Sequence, residues 1–174
     1  MKNQPATLWL TGLSAAGKTT LAQALAERLA AAGAVCQILD GDVVRKELSR
    51  DLGFSKADRS ENIRRVADRC RQINDAGTWA IAALISPYRE DREQARRIVG
   101  EGRFFEVYLA TPLAVCEARD PKGLYRRARA GDLANFTGVS DPYEEPLNPD
   151  LRLDTAALSV AGCVDATMDL MQRR

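Results

Sequence analysis

Five short apolar runs, at residues 7–11, 35–39, 78–85, 104–109 and 151–155, stand apart from the rest of the chain and read as buried strands. Between them the apolar residues thin out and recur every three or four positions, the signature of a helix with one buried face. Leu21, Leu25 and Leu29 make one such stripe; Ile63, Val66, Cys70 and Ile73 a second; Val160, Val164, Met168 and Met171 a third. Residues 89–99 carry a narrower stripe, and a helix after Thr111-Pro112 carries Leu113, Val115 and Cys116. Gly33 and Gly77 stop two of these helices and Asp120-Pro121 stops another, because glycine accepts a left-handed end and proline cannot continue a helix. Strands alternating with helices at this rhythm predict an α/β domain, a doubly wound, mostly parallel sheet of about five strands with helices on both faces. At 174 residues the chain fits a single domain, 1–174, with a core that needs neither disulfides nor metal.

The junction of the first strand and first helix turns this pattern toward chemistry. Gly12-Leu13-Ser14-Ala15-Ala16-Gly17-Lys18-Thr19 is a complete G-x-x-x-x-G-K-[ST] phosphate loop. Its glycines let backbone N–H groups converge on a β-phosphate at a helix start, Lys18 reaches the β- and γ-phosphates, and the Thr19 hydroxyl can hold Mg²⁺. The loop and the following Thr20 are therefore the expected contacts for a nucleoside triphosphate.

Composition narrows the partners. A formal net charge of +1 argues against a general nucleic-acid surface, and no apolar run is long enough to span a bilayer, so neither nucleic acid nor membrane is an expected partner. The start, Met1-Lys2-Asn3-Gln4-Pro5, lacks a signal peptide's apolar segment, which makes the cytoplasm the expected compartment. Cys36, Cys70, Cys116 and Cys163 are far apart and read as small buried apolar residues, and there is no histidine. Proton transfer therefore falls to carboxylates, or to Lys, Tyr or Cys with shifted pKa.

Further candidates sit where strands end. Asp40-Gly41-Asp42 closes the second strand, and ligands of open α/β sheets bind beyond the carboxyl ends of strands. An aspartate capping the next helix is the plainer explanation of the same residues. Asp40 or Asp42 could also reach the Thr19-bound Mg²⁺ through water. Arg59 and Asn62, three residues apart on one helical face, suit an anion, whereas Arg64, Arg65, Arg69 and Arg71 read as a solvated face. Ser86 ends the third strand. Residues 122–131 pack four basic side chains into one Gly-bounded segment, either a solvated basic helix or a mobile lid that closes over phosphates. Together these features describe phosphoryl transfer between two small molecules, with Asp42 as the candidate base; spacing leaves the acceptor open.

The ordered motifs Gly-Leu-Ser-x-x-Gly-Lys-Thr (12–19), Asp-Gly-Asp-x-x-Arg (40–45), Asp-Leu-Gly-Phe-Ser (51–55), Asp-Arg-x-Glu-Asn-Ile-Arg-Arg (58–65), Ile-Ser-Pro-Tyr-Arg (85–89), Cys-Glu-Ala-Arg-Asp-Pro-Lys-Gly-Leu-Tyr (116–125) and Asn-Phe-Thr-Gly (135–138) resemble adenylyl-sulfate kinases over nearly the whole chain. The resemblance implies a three-layer P-loop kinase fold with a mobile basic lid over about 120–139. It also implies transfer of the ATP γ-phosphoryl group to the 3′-hydroxyl of adenosine 5′-phosphosulfate, with Mg²⁺, in sulfate activation. By motif, Lys18, Asp42 and Ser86 are the catalytic candidates. Arg45, Arg59 and Asn62 match contacts to the phosphosulfate substrate, Phe54 and Phe136 match a pair that sandwiches its adenine, and Ile85 and Ser86 match the substrate strand end. Lys122 matches the lid lysine, and Arg119 and Cys163 match contacts to the ATP adenine. The family's serine at position 86 is often described as a phosphorylated intermediate, although direct in-line transfer needs none. The resemblance further implies a homodimer and makes an ATP sulfurylase the candidate protein partner. Ala15, Leu84 and Ala110 depart from the family's usual Gly, Phe and Asp; only Ala15 touches the site, where a positive φ would strain the loop by roughly 1 kcal/mol. Another small-molecule P-loop kinase and a non-catalytic nucleotide-sensing module are the alternatives.

Overall fold

The computed structural model describes residues 4–173; residues 1–3, which belong to the start read above for a signal segment, and Arg174 lie outside the described residues. Strands β1 (Thr7–Thr11), β2 (Cys36–Asp40), β3 (Trp79–Ala83), β4 (Phe104–Leu109) and β5 (Leu151–Leu153) form one sheet in the order β2-β3-β1-β4-β5, with every neighbouring pair parallel. Helices α1 (Lys18–Ala31), α2 (Gly41–Glu47), α3 (Lys56–Asp75), α4 (Arg89–Val99), α5 (Leu113–Arg119), α6 (Leu124–Arg129) and α7 (Val160–Gln172) connect and cover it.

Period-two alternation divides the core into two layers. On one face of the sheet Leu8, Leu10 and Ile81 meet Leu21, Leu25 and Leu29 of α1 and Met168 and Met171 of α7. On the other, Trp9, Ala80 and Ala82 meet Ile63, Val66, Cys70 and Ile73 of α3 and Ala95 and Val99 of α4. Each fully buried leucine contributes about 2 kcal/mol, so these two stripes anchor the helices that frame the site.

Several boundaries move, each for a local reason. Val35 is 70% exposed and precedes β2 instead of opening it. β3 stops at Ala83, because Ser86 takes a left-handed φ of 42° and the chain leaves the sheet before it. Val160 opens α7 half in solvent rather than extending its buried stripe. Strand carboxyl ends all reach the same edge of this parallel sheet, which brings Gly12, Asp40, Ile85 and Thr155 toward one cleft.

Candidate active site

β1 ends at Thr11, and Gly12 follows in a turn that only glycine can make, since a Cβ there would lie 2.7 Å from the Leu109 carbonyl oxygen. Gly17, at a φ of 99°, caps α1 from the left-handed region, so the helix begins at Lys18 aimed into the cleft. The loop is also held from behind: Thr155 Oγ1 and Thr111 Oγ1 donate to the Ala16 carbonyl at 2.8 and 3.2 Å. Ala15 has a φ of 61°, the strained conformation anticipated for it. Ala15→Gly should release about 1–2 kcal/mol of backbone strain and return about 0.4–1 kcal/mol of it to unfolded-chain entropy. The expected net effect is a rise of about 1–3 °C in the thermal midpoint, read by calorimetry, and a fall would contradict the strain.

Lys18 Nζ donates to the carbonyls of Gly12 at 2.9 Å and Leu13 at 2.6 Å. Burial pushes its pKa down to about 8, against the opposing pull of Asp40 and Asp42. Thr19 Oγ1 donates to Asp40 Oδ2 at 2.7 Å, and Asp40 also caps α2 by accepting the Asp42 N–H at 3.0 Å. Asp40 is thus a helix cap, and the same carboxylate stands beside Thr19 at the phosphate loop. A hydroxyl and a carboxylate side by side beneath the phosphate loop form the hard oxygen set that Mg²⁺ prefers, although no preassembled cluster of three metal-ligating side chains exists among the described residues.

The cleft measures about 810 Å³ and runs from this loop to α3. Arg45, Arg59, Asn62, Ile85, Ser86 and Phe136 line its far half. Arg59 ties two loops together: its Nε donates to the Phe54 carbonyl at 3.0 Å, and its terminal nitrogens donate to Thr137 Oγ1 at 2.6 Å and to the Asn135 carbonyl. Arg45 donates to the Gly53 carbonyl at 2.6 Å, and its guanidinium lies 4.8 Å from the centre of the Phe54 ring. Phe54 itself stands at the rim, 64% exposed, off the cleft wall. Asn62 is 5% exposed with Oδ1 unpaired among the described residues, a buried acceptor that costs about 1–3 kcal/mol until a donor meets it.

The basic segment after Asp120 is a short helix, α6, whose first turn the Asp120 carboxylate caps by accepting the Tyr125 and Arg126 N–H groups at 3.1 and 3.0 Å. Tyr125 and Ala128 are buried while Arg126, Arg127 and Arg129 face solvent, the arrangement of a solvated basic helix. Of the four basic residues, only Lys122 lines the cleft, where its ammonium pairs with the Asp42 carboxylate. Arg119 lies against the back of the loop, donating to Thr155 Oγ1 at 2.9 Å and to the Thr155 carbonyl at 2.8 Å. Cys163 lines the same end, beside Leu158 and Val160, which are 44% and 47% exposed.

Residues 4–154 match the family model for adenylylsulphate kinase. The chain belongs to the adenylyl-sulfate kinase family. An adenylyl-sulfate kinase from Geotalea daltonii is 50% identical over 172 residues, covering 99% of this chain and 85% of the relative. The bifunctional enzyme NodQ of Rhizobium tropici is 56% identical over 156 residues, covering 89% of this chain and 25% of that enzyme. Among solved structures, the Mycobacterium tuberculosis APS kinase CysC in complex with AMPPNP and APS superposes with a TM-score of 0.94 at 43% identity, covering 97% of this chain and 98% of that one.

Within this adenylyl-sulfate kinase fold, most residues singled out by sequence border the cleft; Gly12, Leu13, Ala16 and Phe54 lie behind its wall or at its rim. Ser86 is 2% exposed, and its hydroxyl accepts from Trp9 Nε1 at 3.1 Å and donates to Thr11 Oγ1 at 2.9 Å. The side chain is spent on bracing the turn. Arg92 completes that brace and was invisible as a site residue. It is 2% exposed and donates to the Ser86 carbonyl at 2.6 Å, the Glu144 carbonyl at 2.6 Å and the Glu106 carboxylate at 2.8 Å. The available signal was its place in register with Ala95 and Val99 on the buried stripe of α4, where a solvated arginine does not belong. The pattern marks Thr155 and Val160 as strand and helix positions and not as cleft residues, and Leu84, expected off the site, lines the cleft as well.

Proposed function

We propose that this chain transfers the γ-phosphoryl group of ATP to the 3′-hydroxyl of adenosine 5′-phosphosulfate, giving ADP and 3′-phosphoadenosine 5′-phosphosulfate. The observation that carries the reading is one cleft with a phosphate loop at one end, two arginines and the unpaired Asn62 at the other, and Asp42 between them. Guanidinium forks suit phosphosulfate oxygens, and Phe54 and Phe136 offer π-faces for an adenine. Asp42 accepts the 3′-hydroxyl proton as that oxygen attacks the γ-phosphorus in line; the β–γ bridging bond breaks and its electrons leave with ADP. Lys18 leaves the Gly12 and Leu13 carbonyls to neutralise the transferring group, and Lys122 moves from Asp42 toward the same charge. Thr19 and Asp40 would hold Mg²⁺, which would supply positive charge to offset that of the phosphates. Ser86 acts as a brace for Ile85 and the acceptor side of the cleft.

Coupled ADP-release assays with adenosine 5′-phosphosulfate, AMP, gluconate and shikimate test the assignment. A clear preference for the phosphosulfate is expected, and equal or greater turnover with another acceptor would sink it. Assembly as a homodimer, with an ATP sulfurylase as candidate partner, belongs to the same reading; in the bifunctional Rhizobium relative the matched region makes up 25% of a longer enzyme. No helix among the described residues is long and apolar enough to cross a membrane, and the four cysteines are free, which suits the reducing, ATP-rich cytoplasm.

The lowered pKa of Lys18 gives a pH signature. Below about pH 8 its ammonium is charged in the unbound chain and the triphosphate binds at full strength. As pH rises from about 8 toward the ordinary 10.5, the unbound chain loses the proton that phosphate requires, so affinity falls and binding takes up a proton. Calorimetric titration with AMPPNP at pH 9 in buffers of different ionisation enthalpy should show uptake approaching one proton, and uptake should be near zero at pH 7. The same uptake at both values would remove Lys18 as its source.

A further inference from the structure

One buried side chain reaches from the phosphate loop to the acceptor end of the cleft. Tyr125, 2% exposed at the start of α6, donates its hydroxyl proton to the Ser14 carbonyl at 3.0 Å. Its ring meets Phe136 edge to face, with centroids 5.1 Å apart and planes at 82°. Asp120 fixes the Tyr125 backbone, and Arg59 fixes both neighbours of Phe136 through Asn135 and Thr137. A purely packing role would be met by phenylalanine, yet here a hydroxyl is buried and spent on the loop that faces the triphosphate.

We propose that Tyr125 is a positioning residue through which a triphosphate on the phosphate loop tightens the acceptor nucleotide at Phe136. The proposal rests on the two-nucleotide reading above. Its bistable element is the loop itself. Lys18 is hooked onto the Gly12 and Leu13 carbonyls, and phosphates that engage its ammonium must draw it off them. Ser14 lies between Leu13, which loses that donor, and Ala15, which is confined at a φ of 61°. The carbonyl that Tyr125 holds is therefore the next one along from the Leu13 carbonyl that Lys18 would release. Because the ring is packed against Phe136, a shift in the hydroxyl end re-aims the aromatic face offered to the acceptor. Linkage makes this coupling reciprocal: the acceptor must tighten the triphosphate by the same factor.

Calorimetric titration of adenosine 5′-phosphosulfate into the full chain, with and without saturating AMPPNP and Mg²⁺, reads the coupling without turnover. For the unaltered chain we expect AMPPNP to tighten the phosphosulfate by about tenfold. Tyr125→Phe keeps the ring and loses the hydrogen bond, so affinity without AMPPNP should stay within about twofold while the coupling drops below about threefold. Tyr125→Leu removes the edge contact as well and should weaken the phosphosulfate with or without AMPPNP. Coupling retained in full by Tyr125→Phe, or absent from the unaltered chain, overturns the role of Tyr125 and leaves the proposed reaction standing. Failure of the unaltered chain to bind the phosphosulfate under either condition overturns the acceptor assignment, and the coupling falls with it.

Discussion

Lys18→Ala should lower kcat/KM for ATP about a thousandfold, a loss of about 4 kcal/mol in transition-state stabilisation. The ammonium stands in a site where burial already holds its pKa near 8, so a phosphoryl group meets a poorly solvated positive charge with few competitors for it. Stability should change by less than about 1 kcal/mol, because the lost hydrogen bonds to Gly12 and Leu13 are offset by release of a buried charge. Steady-state kinetics beside a thermal melt separates the two effects. A tenfold loss or less, with the fold intact, would mean that the backbone amides of the loop carry the phosphate alone.

Asp42→Asn should reduce kcat by about a thousandfold, within the range of general-base catalysis, and change ATP affinity by less than about threefold. Asparagine preserves shape and can still accept a hydrogen bond from Lys122, so that contact survives while the proton acceptor is lost. The split between kcat and ATP affinity is the diagnostic. If kcat stays within tenfold of the parent enzyme, proton removal from the acceptor hydroxyl occurs elsewhere, and Asp42 is a tether for Lys122.

Periodicity alone makes the layers of this fold legible. Leu21, Leu25 and Leu29, and Ile63, Val66, Cys70 and Ile73, are buried where their spacing placed them, and α4 occupies residues 89–99 as expected. The phosphate loop was legible for a different reason: its glycines answer to steric demands that almost no other sequence meets. What stayed hidden were contacts made by polar side chains to distant parts of the chain. Arg92 reads as one more charge on a polar helix until Glu106, 14 residues on, and Glu144 are folded against it. Ser86 reads as a candidate at a strand end, and its hydrogen bond from Trp9, 77 residues away, has no trace in the spacing. The basic segment showed its total charge but not its orientation, and only Lys122 turns toward the cleft. A one-dimensional pattern reports which face a residue shares; it does not report which remote donor or acceptor completes it.

The two threonines behind the phosphate loop bear on the order in which the chain matures as it is made. Thr155 follows the loop by nearly the whole length of the domain, yet its hydroxyl holds the Ala16 carbonyl and its backbone anchors Arg119. A nascent polypeptide that has emerged only through β4 can form three of the four strand pairings, β2-β3, β3-β1 and β1-β4, while the loop lacks its rear support. Competence to grip a nucleotide therefore arrives late in synthesis, after β5 docks on β4 and α7 closes over α1.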